Sequence, residues 1–258
     1  MNVIVSYLRL IVVAIQFLTR IPLFPNMKVT EEELGRCLAF FPLVGLMIAM
    51  IMSFIVSLAI EFTPFSNFLI AALLLLVETA ITGAFHWDGL ADTFDGFFST
   101  HKSREEMLEI MHDSRIGVMG TISIVMIALV QLAALSGLLS LSFRDIVFIL
   151  SSVYMLSKWG CVFISVTSAY GRKKGKGLVF LEHSRWQALA IATMSMIPLM
   201  IVDPRFFVLL ISEIVFVAIW RAYSLRKIGG ITGDVLGASA RLSETIIMLV
   251  FLVLNQYI

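Results

Sequence analysis

Asp88, Asp92 and Asp95 lie four and three residues apart in the segment 86–96 (HWDGLADTFDG), inside an otherwise strongly apolar chain. On a helix at 100° per residue the three carboxylates fall within about a 60° arc, with Leu90, Phe94 and Phe97 on the opposite arc. Three like charges at that range repel one another and stay ionised together only when positive charge sits between them. A divalent ion supplies that charge, and an all-oxygen ligand set favours Mg²⁺ or Mn²⁺ over Zn²⁺. The competing reading is a plain solvated acidic face. Trp87, Phe94, Phe97 and Phe98 argue against it, because they draw the helix toward a membrane interface where unpaired carboxylates are costly.

A second charged knot follows, His112-Asp113-Ser114-Arg115-Ile116-Gly117. Asp113 either adds a ligand to the same ion or pairs with Arg115. Arg115, Gly117 and Gly120 open an apolar run, where a guanidinium and the orphan amides of a helix N-terminus together suit a phosphate. An interface-anchoring arginine followed by helix-packing glycines is the alternative. In the glycine-rich segment 229–239 (GGITGDVLGAS), Gly233 and its neighbours let backbone amides approach an anion, and Asp234 suits a metal or a ribose hydroxyl. No Gly-Lys-Ser/Thr follows, so it is not a Walker loop, and a tight connection between two spans is the bland reading. The basic run 171–177 (GRKKGKG) either fixes topology and touches anionic lipid or attracts polyphosphate. His86 and His112 each stand near a carboxylate, as a general base or as a hydrogen-bonded structural residue.

These residues need a scaffold, and its nature is plain from composition. The 258-residue chain is 59% hydrophobic and 14% charged, with a mean hydropathy of +0.97; a soluble domain carries about a quarter charged residues. A single integral membrane domain, an all-α bundle of about 7–8 transmembrane helices, is expected. The apolar runs lie near 3–22, 36–60, 67–85, 116–140, 145–168, 186–202, 205–227 and 240–257, the sixth and seventh forming two spans, one hairpin or one re-entrant element. The first run reads as a retained span rather than a signal peptide. Alternation gathers the motif-bearing loops 86–115, 169–185 and 228–240 on one side, which also receives fifteen of the nineteen Lys and Arg residues. The positive-inside rule makes that side cytoplasmic, in a multi-pass protein of the cell (inner) membrane. Ser103-Arg104-Glu105-Glu106 has the form of a capping box opening a short amphipathic helix. Glu78, Lys158, Glu213 and Glu244 fall within apolar runs and require an explanation. Glu78 and Glu244 suit a water-filled cavity beneath the metal site, whereas Glu213 has no obvious partner. Cys37 and Cys161 have neither disulfide-framework nor metal-ligand spacing. A net charge of +1 gives no reason to expect nucleic acid, and a homo-oligomer is compatible with the sequence.

The segments 17–22 (FLTRIP), 41–45 (FPLVG), 82–96 (TGAFHWDGLADTFDG), 109–117 (EIMHDSRIG) and 232–238 (TGDVLGA) together closely resemble the cobalamin synthase family, the adenosylcobinamide-GDP ribazoletransferases. The likeness runs in order along nearly the whole chain. It implies a Mg²⁺-requiring transfer that joins adenosylcobinamide-GDP to α-ribazole or its 5′-phosphate and releases GMP. By motif position it implies metal held by Asp88, Asp92 and Asp95, a phosphate site completed by Asp113 and Arg115, and nucleotide or a second ion at Asp234. At 172–176 this chain is basic where the family often carries acidic residues, so no role carries over there. Chemically, a ribose hydroxyl attacks phosphorus with a carboxylate or His86 taking its proton, the work resting on Asp92, Asp95 and Arg115. Two rivals are a CDP-alcohol-type phosphotransferase, whose full aspartate pattern is missing, and a cation-coupled transporter using Glu78, Lys158 and Glu213.

Overall fold

The structure is a computed structural model and describes residues 3–100, 102–171 and 186–256. These residues form helices α1 (Val3–Leu18), α2 (Glu31–Cys37), α3 (Phe41–Phe62), α4 (Asn67–Thr82), α5 (Phe85–Phe97), α6 (Arg104–Ile110), α7 (Val118–Leu138), α8 (Phe143–Thr167), α9 (Trp186–Met194), α10 (Ile197–Val202), α11 (Arg205–Ile228) and α12 (Gly233–Leu254). Among the described residues there is no β-strand, only an isolated bridge between Tyr170 and Ile231. The all-α expectation holds. Among the described residues the expected seven or eight spans are not confirmed. Five helical stretches, 31–62, α7, α8, α11 and α12, are long and apolar enough to cross a bilayer, and α4 with α5 makes a sixth if that bent pair is one span. The 16 residues of α1 rise only about 24 Å, against the roughly 30 Å of a hydrocarbon core. The apolar run 186–202 is split into α9 and α10, with Pro198 in the first turn of α10 where its missing N–H costs nothing.

Helix α8 forms the axis of the bundle, with nearly every side chain from Ile146 to Ser165 buried. Helix α3 lies directly on it: a Cβ at Gly45 would sit 2.7 Å from the Tyr154 carbonyl carbon, so only glycine permits the approach. Helix α4 ends in a bend of 90° before α5. Gly83 (φ 65°) and Ala84 (φ 62°) turn it through consecutive left-handed residues. That conformation is free for glycine and strained for alanine. The Trp87 indole N–H donates to the Thr79 hydroxyl at 3.0 Å across the bend, and the Arg20 side chain lies over Gly83.

The described parts of the motif loops meet at one end of the bundle. Lys227 donates to the Phe97 carbonyl at 2.7 Å, a cation at the C-terminal end of α5. Arg104 donates to the Gly171 carbonyl at 3.2 Å and lies against Gly229. The Gly171 amide donates to the Ile231 carbonyl at 2.8 Å. The capping box is present: the Glu106 amide donates to the Ser103 hydroxyl at 3.2 Å and the Ser103 amide to the Glu106 carboxylate at 2.8 Å. The basic stretch 172–176 lies outside the described residues. At the opposite end Arg205 ties Asp145, Asp203 and Asn255 together.

Replacing Gly83 by alanine puts a Cβ into the Arg20 side chain at a positive φ and should destabilise the fold by about 1–2 kcal/mol. Thermal unfolding of the purified protein in detergent reads it out as a melting temperature several degrees lower. An unchanged melting temperature would show that the bend tolerates a side chain.

Candidate active site

The acidic helix α5 owes its place to glycine. A Cβ at Gly89 would come within 2.7 Å of the Asp234 carbonyl oxygen and 3.1 Å of the Gly237 Cα. Helices α5 and α12 therefore cross with their backbones touching, and this brings the glycine-rich segment against the residue that follows Asp88. Around the contact Asp88 is exposed, and Asp92, Asp95 and Asp234 are half-buried. Gly233 opens α12, and a Cβ there would meet nothing within 4 Å. Thr232 caps the same helix, its hydroxyl accepting the Val235 amide at 3.3 Å. The Asp234 backbone is thus brought against Gly89, between Asp88 and Asp92 in the sequence, by two helices far apart in the chain.

Asp95 departs from the expected ligand role. Its carboxylate accepts the Gly117 amide at 2.7 Å and the Gly120 amide at 2.8 Å. It therefore caps the N-terminus of α7 from another helix, a favourable seat for a negative charge. A Cβ at Gly117 or Gly120 would collide with this carboxylate, which accounts for both glycines. The Gly117 amide expected to receive a phosphate is consequently occupied by Asp95.

Asp113 resolves toward the pairing alternative. It accepts the Arg115 amide at 3.0 Å and the Arg115 guanidinium at 2.6 Å, in a loop outside the spans. The guanidinium hydrogen bonds hold the Asp113 carboxyl well below the usual range, at about 2. A depressed pKa means the pair is present above the ordinary carboxylate range and is lost only as pH falls toward 2. The Arg115 side chain is 88% exposed, and its chain segment is tied to α5 two residues later through Gly117. Among the described residues no three His, Cys, Asp or Glu side chains gather closely enough to hold a metal, and this covers the expected trio Asp88, Asp92 and Asp95 as well as any set that includes Asp113.

His86 also departs from its expected role as proton acceptor. It is 2% exposed and its Nδ1 has no hydrogen-bond partner. It faces the interior because residue 86 shares the helix face of Gly89, which is pressed against α12.

The intramembrane charges form a closed set rather than lining a cavity. Glu244 accepts Lys158 at 2.8 Å on one oxygen and Arg241 at 2.9 Å on the other, and Arg241 also binds Glu78. Two acids and two bases balance, and each is at most 1% exposed. Glu213 accepts the Ser243 hydroxyl at 2.5 Å. With Lys158 locked onto Glu244 and Glu213 tied to a serine, a transport path through Glu78, Lys158 and Glu213 loses its support. Arg241 was missed as a buried partner because the apolar run 240–257 puts it at the start of a span, where an arginine ordinarily snorkels to water, whereas the helix begins two turns earlier at Gly233. A spacing of three to Glu244 was the available signal.

Comparison with known proteins points in one direction. The family model described as cobalamin-5-phosphate synthase matches residues 10–252. A Clostridium novyi protein named adenosylcobinamide-GDP ribazoletransferase is 36% identical, covering 94% of this chain and 96% of its own. Proteins of the same name from Clostridium acetobutylicum (35%, 96% and 98%) and Pseudomonas fluorescens (36%, 90% and 94%) are similar to it. No solved structure matches.

The capping geometry separates the aspartates experimentally. Asp95→Ala strands two amides of α7 and should cost about 1–2 kcal/mol of stability, whereas Asp88→Asn on the exposed face should leave the melting temperature unchanged. Equal melting temperatures for the two variants would contradict the capping role.

Proposed function

Because the chain belongs to the cobalamin-5-phosphate synthase family, we propose that it is a cobamide-assembling transferase. In this reading it joins adenosylcobinamide-GDP to α-ribazole or its 5′-phosphate and releases GMP. The observation that carries the proposal is the crossing of α5 and α12 at Gly89 and Gly237, which brings the two family motifs together at one end of an apolar bundle.

The carboxylates of Asp88 and Asp92, one turn apart on the open face of α5, suit Mg²⁺, which commonly takes one or two protein carboxylates and completes its shell with phosphate oxygens and water. When bound, the ion supplies positive charge to the pyrophosphate of the substrate. Asp95 holds the start of α7 against α5 and so fixes the segment carrying Arg115, whose exposed guanidinium suits non-bridging phosphoryl oxygens. Gly233 leaves open space beside the first turn of α12, which suits an anion, with Asp234 beside it for nucleotide. The ribose hydroxyl forms the new O–P bond as the P–O bond to GMP breaks, and its proton passes to a carboxylate of this face, His86 being enclosed. The gathering of Lys and Arg on the same end supports a cytoplasmic active face in a cell inner membrane.

Asp92→Asn should abolish GMP release from adenosylcobinamide-GDP and α-ribazole in the presence of Mg²⁺, with the protein still inserted in the membrane. Near-normal turnover by that variant would remove Asp92 from the metal site.

A further inference from the structure

The bend between α4 and α5 aims the acidic face, and one buried side chain touches both of its arms. Arg241 binds Glu78, five residues before the bend at Gly83 and Ala84, and its guanidinium carbon stands 4.2 Å from the centre of the Trp87 ring, three residues after it. Its third contact, 2.9 Å to Glu244, is within its own helix, and Glu244 is braced in turn by Lys158 of α8 at 2.8 Å. The Arg241 carbonyl accepts the buried Gln131 side chain of α7 at 3.3 Å. One turn earlier on the same face of α12, Gly237 receives Gly89 of α5. The sharp turn itself supplies little rigidity, since two successive left-handed residues, one of them alanine, do not hold a right angle without outside support.

We infer that Arg241 is a positioning residue, clamping Glu78 and Trp87 so that α5 keeps its right angle and presents Asp88 and Asp92 beside Asp234. A planar guanidinium is required for this. It offers separate N–H groups to two carboxylates while its face stacks on the indole, which the point charge of a lysine does not do. The consequence for catalysis rests on the transferase reading above, but the clamp itself does not.

The test measures the bend directly. Spin labels on Leu76→Cys in α4 and Phe98→Cys just beyond α5, both exposed positions, report the distance between the two arms; the native Cys37 and Cys161 are buried. Pulsed electron resonance on the full chain in lipid nanodiscs should give a narrow distance distribution for the labelled parent and a broadened or displaced one for Arg241→Met. The kcat for GMP release should fall about 10²-fold, the loss expected for a small misplacement of reacting groups, with KM for α-ribazole little changed. Arg241→Lys should restore neither. Should Arg241→Met fail to accumulate in the membrane, Trp87→Leu, which removes the stacking contact together with the hydrogen bond to Thr79, carries the same measurement, with Thr79→Val, which removes the hydrogen bond alone, as its control. An unchanged distribution in Arg241→Met or Trp87→Leu overturns the clamp, and a broadened one with undiminished kcat overturns its role in aiming the carboxylates. A broadened distribution in a protein whose labelled parent releases no GMP leaves the clamp standing and removes the transferase reading.

Discussion

The backbone contact between Gly89 and Gly237 is the constraint on which the candidate site depends. A side chain at Gly89 would push α5 off α12 and part Asp88 and Asp92 from the Asp234 backbone, and one at Gly237 would crowd the same contact. Close approach of this kind is how helices associate in a bilayer, where apolar area drives little because lipid is as apolar as the helix. The same device recurs at Gly45 on α8 and at Gly117 and Gly120 beside Asp95. Helix-to-helix distances set by missing side chains thus determine where the polar groups stand.

Burying four charges beneath the site follows a complementary rule. In hydrocarbon an isolated Arg or Glu is expensive, and the cost is offset only when each charge meets a partner with good geometry. Glu78, Lys158, Arg241 and Glu244 satisfy this as a neutral group drawn from α4, α8 and α12. Such a group contributes little net stability compared with apolar packing, but removing one member leaves a charge uncompensated. Its effect is therefore on geometry: three helices are held in one register below the acidic face.

Much of this was legible in the sequence, and the part that was not shares one cause. Helix α5 followed from the spacing of its aspartates and phenylalanines, and α6 from Ser103 and Glu106, because both signals are local. The gathering of the motif loops followed from alternation of spans, which needs no tertiary detail. Asp95 was legible as an acid on the right face, but not as a cap for α7, because a helix end does not announce which distant residue will satisfy its amides. Arg241 looked like a flank residue because its depth depends on how α12 sits against α4 and α8. The seven or eight spans are not confirmed, because hydropathy records that 3–22 and 186–202 are apolar and not where their helices stop.

The claim that Asp92 and Asp234 serve one site is tested most directly by a double-mutant cycle on kcat/KM for cobamide formation, using Asp92→Asn, Asp234→Asn and the pair. Residues acting on the same bound diphosphate should be strongly non-additive, the double variant losing little more than the worse single one. Losses that simply multiply would mean the two residues work independently, and that the crossing of α5 on α12 does not build the active site.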